Sequence, residues 1–391
     1  MKIDNVEVIA ANYRTDEKPP RVRSFALVRI TTSEGMVGWG EACDNFGHST
    51  PLTLKAFFDE KLRWVLIGQD PRRLEALMWK VRQDTNRYSG YRELTMQALS
   101  AVEIALWDIR GKLAGKSVSE LLGRYRDELE LYSSSNVAFE VASPADHQLE
   151  FNRALLERGV KNVKIRIGNN FEWDAAFVRE ARGKFPRDVR MMVDGKYNYT
   201  TDSAIRMSRI LAENDIFWFE EPIPDHNLDE MARLTAASPV PIAYGEHCFT
   251  ANDFRELVVH KAARILQPDV AICGGISEAL KIAHFGEIMG RMVVPHCSGL
   301  TAVGTAASLH LAAAMPKCLV FEWDSSPFQP LRDRLPKEAL FANERVCDGR
   351  IAVPNGPGLG VELDEAVLRE FAHRMHPDLL SSFPIYGTPR I

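Results

Sequence analysis

From about Leu131 onward the chain repeats one pattern: a short apolar run, an amphipathic stretch, then another apolar run. The runs begin at 131 (LYSSS), 163 (VKIRI), 190 (RMMVD), 217 (FWFEE), 241 (PIAYGE), 265 (ILQPDV), 292 (MVVPH) and 319 (LVFEW), so successive starts lie 24 to 32 residues apart. Each run is strand length and rich in β-branched or aromatic side chains, which suit a pleated surface. The stretches between them, such as DAAFVREARGKF and SEALKIAHFGEIMG, carry apolar residues at helical spacing. Eight strands alternating with helices over about 200 residues predict an α/β fold closed into a (β/α) barrel rather than an open doubly wound sheet. No G-x-G-x-x-G turn follows the first strand, which counts against dinucleotide binding.

Before Leu131 the pattern differs. Residues 2–11, 25–31 and 37–42 alternate as strands, the last two joined by a turn at SEGM, and 71–83 and 92–115 have helical periodicity. This predicts an α+β domain ahead of the barrel. After about Pro354 the chain returns to a Pro/Gly-rich loop and one short helix, DEAVLREFAHRM.

Composition narrows the class without naming a chemistry. With 46% hydrophobic and 26% charged residues the chain resembles an ordinary globular protein, and its 391 residues suit two domains. A net charge of −5 gives no electrostatic reason to expect nucleic acid or an anionic membrane as partner. No apolar run is long enough to span a bilayer and the N-terminus lacks a secretory apolar core, so a cytoplasmic location is expected. The six cysteines form no C-x-x-C pair, which suits buried reduced thiols better than a zinc ribbon or a disulfide framework.

The strand ends carry the chemistry. Asp194 ends the third run, Glu220 and Glu221 the fourth and Glu246 the fifth, with Asp194, Glu220 and Glu246 each 26 residues apart. Three carboxylates on adjacent strands would repel one another in a partly dry barrel mouth, and a hard divalent cation removes that repulsion. Three protein oxygens leave about three positions of an octahedral Mg²⁺ shell for substrate and water. Lys164 and Arg166, two apart on the second strand, face one side. Asp269 and His296 end neighbouring strands, where a carboxylate holding one imidazole nitrogen leaves the other free to act as base. Glu322 on the eighth strand completes the ring.

These residues make the chain resemble the enolase superfamily, and within it the mandelate-racemase-like subgroup. The resemblance rests on K-x-R at 164–166, VDG at 193–195, FEEP at 219–222, GE at 245–246, QPD at 267–269, VPH at 294–296 and FEW at 321–323. It implies a modified (β/α)7β TIM barrel over 126–353, an α+β capping domain over 1–125, and a segment, 354–391, that returns to the cap. It also implies a homo-oligomer with one Mg²⁺ per subunit held by Asp194, Glu220 and Glu246, and His296 with Asp269 as a general acid/base pair. Lys164 and a protonated Glu322 would then contact the oxygens of a substrate carboxylate as it becomes an enediolate.

Two positions depart from the family pattern. Its usual second lysine of K-x-K is Arg166 here, a poor base and a better anion anchor, which argues against racemisation. Lys196 stands where relatives place Asn or a catalytic His; alternation from Asp194 would turn it into the mouth. The expected activity is dehydration of a sugar acid to a 2-keto-3-deoxy acid. An epimerase, racemase or lactone cycloisomerase is the alternative, and a Schiff-base aldolase using Lys164 the rival from another class. A small hydroxylated carboxylic acid is the expected partner, with Arg14, Arg21, Arg23, Asn45 and His48 of the cap as candidate contacts.

Overall fold

The computed structural model describes residues 1–15, 20–44, 50–134 and 141–376. Strands β1 (Ile3–Arg14), β2 (Val22–Thr32) and β3 (Val37–Asp44) form an antiparallel meander, with the expected turn at SEGM closed by the Met36 carbonyl accepting from Thr32 N at 2.9 Å. Strand β3 lies directly on the helix Glu93–Ala114 because it offers bare backbone at alternate positions. A Cβ at Gly38 would sit 2.3 Å from the Ala105 carbonyl oxygen, and one at Gly40 1.8 Å from that of Ala101. Both approaches are closer than any side chain allows, so the G-W-G run sets the distance between sheet and helix.

The barrel strands are β4 (Glu128–Ser134), β5 (Asn162–Arg166), β6 (Arg190–Asp194), β7 (Ile216–Glu220), β8 (Ile242–Tyr244), β9 (Ile265–Leu266), β10 (Met292–Val293) and β11 (Phe321–Asp324). They pair in parallel and in sequence order, and β11 comes back beside β4. Among the described residues seven helices, from Pro144–Glu157 to Ala302–Ala313, separate the eight strands, which is the (β/α)7β arrangement expected. A last strand, β12 (Arg350–Ala352), pairs antiparallel with the start of β4.

The end of the described chain docks on the cap: Asn12 N donates to the Phe371 carbonyl at 2.9 Å and His373 N to that of Ala10 at 3.1 Å. That pairing shortens the expected final helix, which covers only Glu365–Glu370. Beyond Glu370 the backbone bonds with β1 instead of continuing its own turns.

Inside the barrel, Tyr132, Met192, Trp218, Ala243, Ile265, Val294 and Val320 form a buried cluster separate from the main core. This is a layer of inward-pointing side chains. The strand period of two then fixes what emerges above it. Two residues further on stand Ser134, Asp194, Glu220, Gln267, His296 and Glu322. The apolar layer is thus the floor of a polar mouth, and its register decides which side chains reach that mouth.

Cap, barrel and C-terminal loop meet at His310, which is fully buried on the helix Ala302–Ala313. Its Nε2–H donates to the Leu359 carbonyl at 3.0 Å, and its Nδ1 faces the Ser119 amide at 3.3 Å and hydroxyl at 3.0 Å. A second ring proton would point at the Ser119 N–H. Burial accordingly holds the imidazole down to about 4, against the ordinary 6.5. The unfolded chain therefore binds a proton between pH 6.5 and 4 that the folded chain does not, so stability falls as pH drops through that window. Urea unfolding across this range should show His310→Gln losing about 3 kcal/mol of the wild-type pH dependence; identical pH slopes in the two proteins would contradict it.

Candidate active site

Lys164 stands on β5 with its ammonium fully buried. It pairs with Oε1 of Glu220 and, at 2.9 Å, with Oε1 of Glu322. Burial works against the ammonium, but Glu220 and Glu322 outweigh it and raise its pKa. A Schiff-base lysine needs the opposite shift, so the aldolase reading loses its nucleophile.

Glu220 is held on both oxygens, because Gln267 Nε2 and Trp218 Nε1 donate to its Oε2 at 2.7 and 3.1 Å. Burial and the charges of Asp194, Glu246 and Glu322 nevertheless push Glu220 up to about 7, against the pull of Lys164. Next along, Glu221 is buried at φ +41°, accepts from the Tyr197 hydroxyl, and is raised by burial and then by Glu246 and Asp194. Asp194 pairs with Arg166 through Oδ2 and accepts the Lys196 amide through Oδ1 at 2.9 Å.

On the opposite wall His296 Nδ1 meets Asp269 Oδ2 at 2.7 Å. The other ring nitrogen, Nε2, lies 3.5 Å from Glu246 and 3.7 Å from Glu322. Burial disfavours the imidazolium, yet Glu246, Glu322 and Asp269 carry its pKa up to about 10. Burial likewise opposes ionisation of Glu246, but His296 and His247 lead a set of cations that hold it at about 2. The imidazole therefore stands between a carboxylate that fixes its orientation and two that face its second nitrogen.

The structure brings Lys164, Glu220 and Glu322 into one group, Arg166 and Asp194 into a second, and His296, Asp269 and Glu246 into a third. Several expectations change. Glu322 is not the protonated donor anticipated: burial favours the neutral acid, but Lys164, His296 and the Cys297 amide hold its pKa low. Lys196 lies past the end of β6 at φ +49°, so strand alternation does not extend to it. It is half-buried all the same, and burial, then Arg166, lower its ammonium to about 7 while Asp194 pulls the other way.

Arg23 is not a substrate contact. It sits on β2, 5% exposed, bonded to Asp324 Oδ2 at 2.6 Å, which leaves its charge spent on the barrel. Arg14 is exposed at the end of β1, Arg21 is the cap residue whose charge reaches Lys196, and Asn45 and His48 lie outside the described residues. Cys248, Cys273, Cys297 and Cys318 are buried free thiols, but Cys347 is exposed on the turn before β12.

Sequence reasoning gave no role to Gln267 or to His247. Gln267 was legible, being two residues beyond the lumen residue Ile265. No pattern points to His247, which is half exposed beside Glu246. Ligand atoms of Glu221, Glu246 and His247 lie within 4.8 Å of one another. The expected Asp194 and Glu220 turn instead toward Arg166 and Lys164. The donor chemistry still fits a hard cation, since Asp194, Glu220, Glu221 and Glu246 are oxygen donors and the charges of Asp194 and Glu246 oppose the ionisation of Glu220 and Glu221. Among the described residues no helix is long and apolar enough to cross a membrane.

Known proteins share this architecture. The chain is 36% identical over 359 residues to the D-galactarolactone cycloisomerase of Agrobacterium fabrum, covering 89% of this chain and 91% of that protein. It is 32% identical over 352 residues to an arabinonate dehydratase of Saccharolobus solfataricus, covering 89% and 90%. The crystal structure of the 3,6-anhydro-D-galactonate cycloisomerase from Zobellia galactanivorans superposes with a TM-score of 0.84 at 29% identity, covering 96% of this chain and 100% of that one. Residues 14–123 match the mandelate racemase/muconate lactonizing enzyme N-terminal domain, and residues 148–367 match the enolase C-terminal domain-like family. With both halves matched in order, the chain belongs to the mandelate racemase/muconate lactonizing enzyme family of the enolase superfamily.

Proposed function

We propose that this enzyme removes the proton α to the carboxylate of a sugar acid and then eliminates the β-hydroxyl, giving a 2-keto-3-deoxy acid. The observation that carries the reading is a built acid–base pair: His296 Nε2 faces the mouth while Asp269 holds Nδ1. With a proton on Nδ1 and none on Nε2, Nε2 is the atom that takes the α-proton, and the charges of Glu246 and Glu322 that favour the imidazolium are the ones a bound cation would offset. Lys164 is an ammonium fixed in the floor and cannot serve as a second base there. It stands where the negative charge of the enediolate develops, and a charge already in place costs no reorganisation as the proton leaves.

Arg166, bonded to Asp194, is a permanent cation and closes the face from which a racemase would need its other base. Lys196, held at the lip by its own amide, is placed to donate a proton to the departing hydroxyl. Asp194, Glu220 and Glu246 would hold Mg²⁺, with Glu221 and His247 alongside. The ion supplies Lewis-acid neutralisation of the substrate carboxylate. We place the enzyme in the cytoplasm, as a homo-oligomer of subunits divided at about 125 and 353.

A second reading shares the first step and differs in which oxygen leaves. If the β-oxygen belongs to a lactone or anhydro ring, elimination opens the ring and no water is lost, which is an isomerisation. The 36% identity to a galactarolactone cycloisomerase favours this reading. A panel of aldonates, aldarates and their lactones, assayed for keto-acid product and for ring opening, distinguishes the two. Keto acid from an open-chain aldonate or aldarate is the expected result. Turnover confined to lactones would install the second reading, and racemisation of a simple chiral 2-hydroxy acid would defeat both.

Metal dependence is checked by removing divalent ions with chelator: turnover should vanish and return with Mg²⁺. Glu220→Gln should bind Mg²⁺ at least about tenfold more weakly in calorimetry while keeping its fold. Undiminished turnover in excess chelator would sink the metal assignment.

The two proton transfers are separable by exchange in deuterated water. His296→Asn should lose both dehydration and α-proton exchange. Lys196→Met should keep exchange while dehydration falls about 10²–10⁴-fold, because only the later step loses its acid. Persistent exchange in His296→Asn would move the base elsewhere, and an unaffected Lys196→Met would remove Lys196 from the mechanism.

A further inference from the structure

Two buried carboxylates of the cap take no part in the chemistry above, yet both grip the loops that carry the acid–base pair. In the segment following His296 every second amide donates to a carboxylate. Cys297 N reaches Glu322 Oε2 at 2.9 Å, Gly299 N reaches Asp324 Oδ2 at 3.1 Å, and Thr301 N reaches Glu41 Oε1 at 2.9 Å. Glu41 comes from β3 of the cap and also accepts from the Thr301 hydroxyl at 2.5 Å and from Gly304 N at 2.7 Å. Asp324 is itself fixed by Arg23 of the cap. Two of the three anchors on the His296 segment therefore depend on the other domain.

The same device recurs on the Asp269 loop. Ser100 Oγ accepts from Gly274 N at 2.9 Å, and Glu103 accepts from Ile276 N at 2.6 Å and Ser277 N at 2.9 Å. Both residues lie on the cap helix Glu93–Ala114. Glu103 fills space that any side chain at position 275 would need, since a Cβ there would lie 2.1 Å from its Oε2. Glu41 and Glu103 are both fully buried, and burial pushes each up to about 7 against the hydrogen bonds they accept. Burying two acids is a costly way to cap the starts of two helices when the exposed side chains of Asn170, Thr200 and Asn227 cap the starts of three others. The cost is intelligible if the loops before those helices must sit in one place.

We propose that Glu41 and Glu103 are positioning residues for His296 and Asp269, fixing the imidazole against Glu246 and Glu322 from the capping domain. The proposal rests on the reading of His296 as the base, but its test does not. Glu41→Gln and Glu103→Gln keep the side-chain length and turn an amide NH₂ toward backbone N–H groups. The readout is the low-field NMR signal of the His296 Nδ1 proton in the full-length enzyme, assigned by its loss in His296→Asn. Each variant is expected to shift or broaden that signal. With galactonate, arabinonate or galactarolactone as probe, kcat should fall about 10- to 100-fold with KM within about twofold.

A merely structural role would lower the melting temperature and leave the signal in place; folded variants with the wild-type signal overturn the proposal. Where a glutamine variant does not fold, Thr301→Val and Ser100→Ala remove single bonds of the same two anchors and are judged by the same signal. If His296→Asn retains α-proton exchange while the cap variants still move the signal, the base assignment fails and the positioning role stands.

Discussion

The ion pair at the centre of the barrel mouth, Lys164 between Glu220 and Glu322, is the contact on which the others depend. All three side chains are fully buried, where an unpaired charge costs several kcal/mol. Once the ammonium is fixed, Glu220 must complete its bonds with Gln267 and Trp218, and Glu322 must take the Cys297 amide. That amide belongs to the residue after His296, so the position of the base follows from the pairing of the floor. Counted as if every group were ionised, the wider balance is negative: Asp194, Glu220, Glu221, Glu246, Asp269 and Glu322 face Lys164, Arg166, Lys196 and His296, and the raised acids Glu220 and Glu221 show the strain of that excess. At an effective dielectric of about 20, two like charges 4 Å apart cost about 4 kcal/mol, so the excess creates a standing demand for one more cation. A divalent ion meets it without a side chain.

Most of the frame was legible because both strand and barrel are periodic. The eight apolar runs became eight strands, and the parity of the lumen layer places Asp194, Glu220, His296 and Glu322 at the mouth. What parity cannot supply is how each side chain spends its charge once there. Glu322 stood in the right place, but its ionisation depends on Lys164 and the Cys297 amide, contacts made across 158 and 25 residues of chain. Arg23 looked like a cap residue open to substrate, and only the folded chain shows it paired with Asp324, 301 residues away. Lys196 marks the point where a local rule runs out, because the backbone turns left-handed and period two no longer applies.

The two domains divide the work unevenly. The barrel supplies every residue assigned to the metal, the base and the enediolate. The cap supplies backbone clearance through Gly38 and Gly40 and buried acids through Glu41 and Glu103. Its close fit to the helix Glu93–Ala114 therefore bears on the site as well as on stability, since Ser100, Glu103 and Asp108 all project from that helix. Asp108 accepts from Trp39 N and Leu359 N, each at 2.9 Å, joining β3 to the C-terminal loop. A cap tied down at both ends in this way can hold the His296 and Asp269 loops still.

On the proposed dehydration this arrangement needs only one base. Racemisation needs a proton acceptor on each face of the enediolate, and a guanidinium tied to Asp194 supplies none. Elimination needs an acceptor for the α-proton and, later, a donor to the leaving oxygen. On the proposed reading His296 serves the first and Lys196 the second, and the two are held by different means. His296 is clamped between strands and cap. Lys196 rides on a left-handed turn whose amide is tied to Asp194 while its side chain is only half buried. A rigid base and a more accommodating acid suit substrates that share the α-carbon and its carboxylate but differ in the oxygen that departs. The proteins that the chain resembles include both a dehydratase and cycloisomerases.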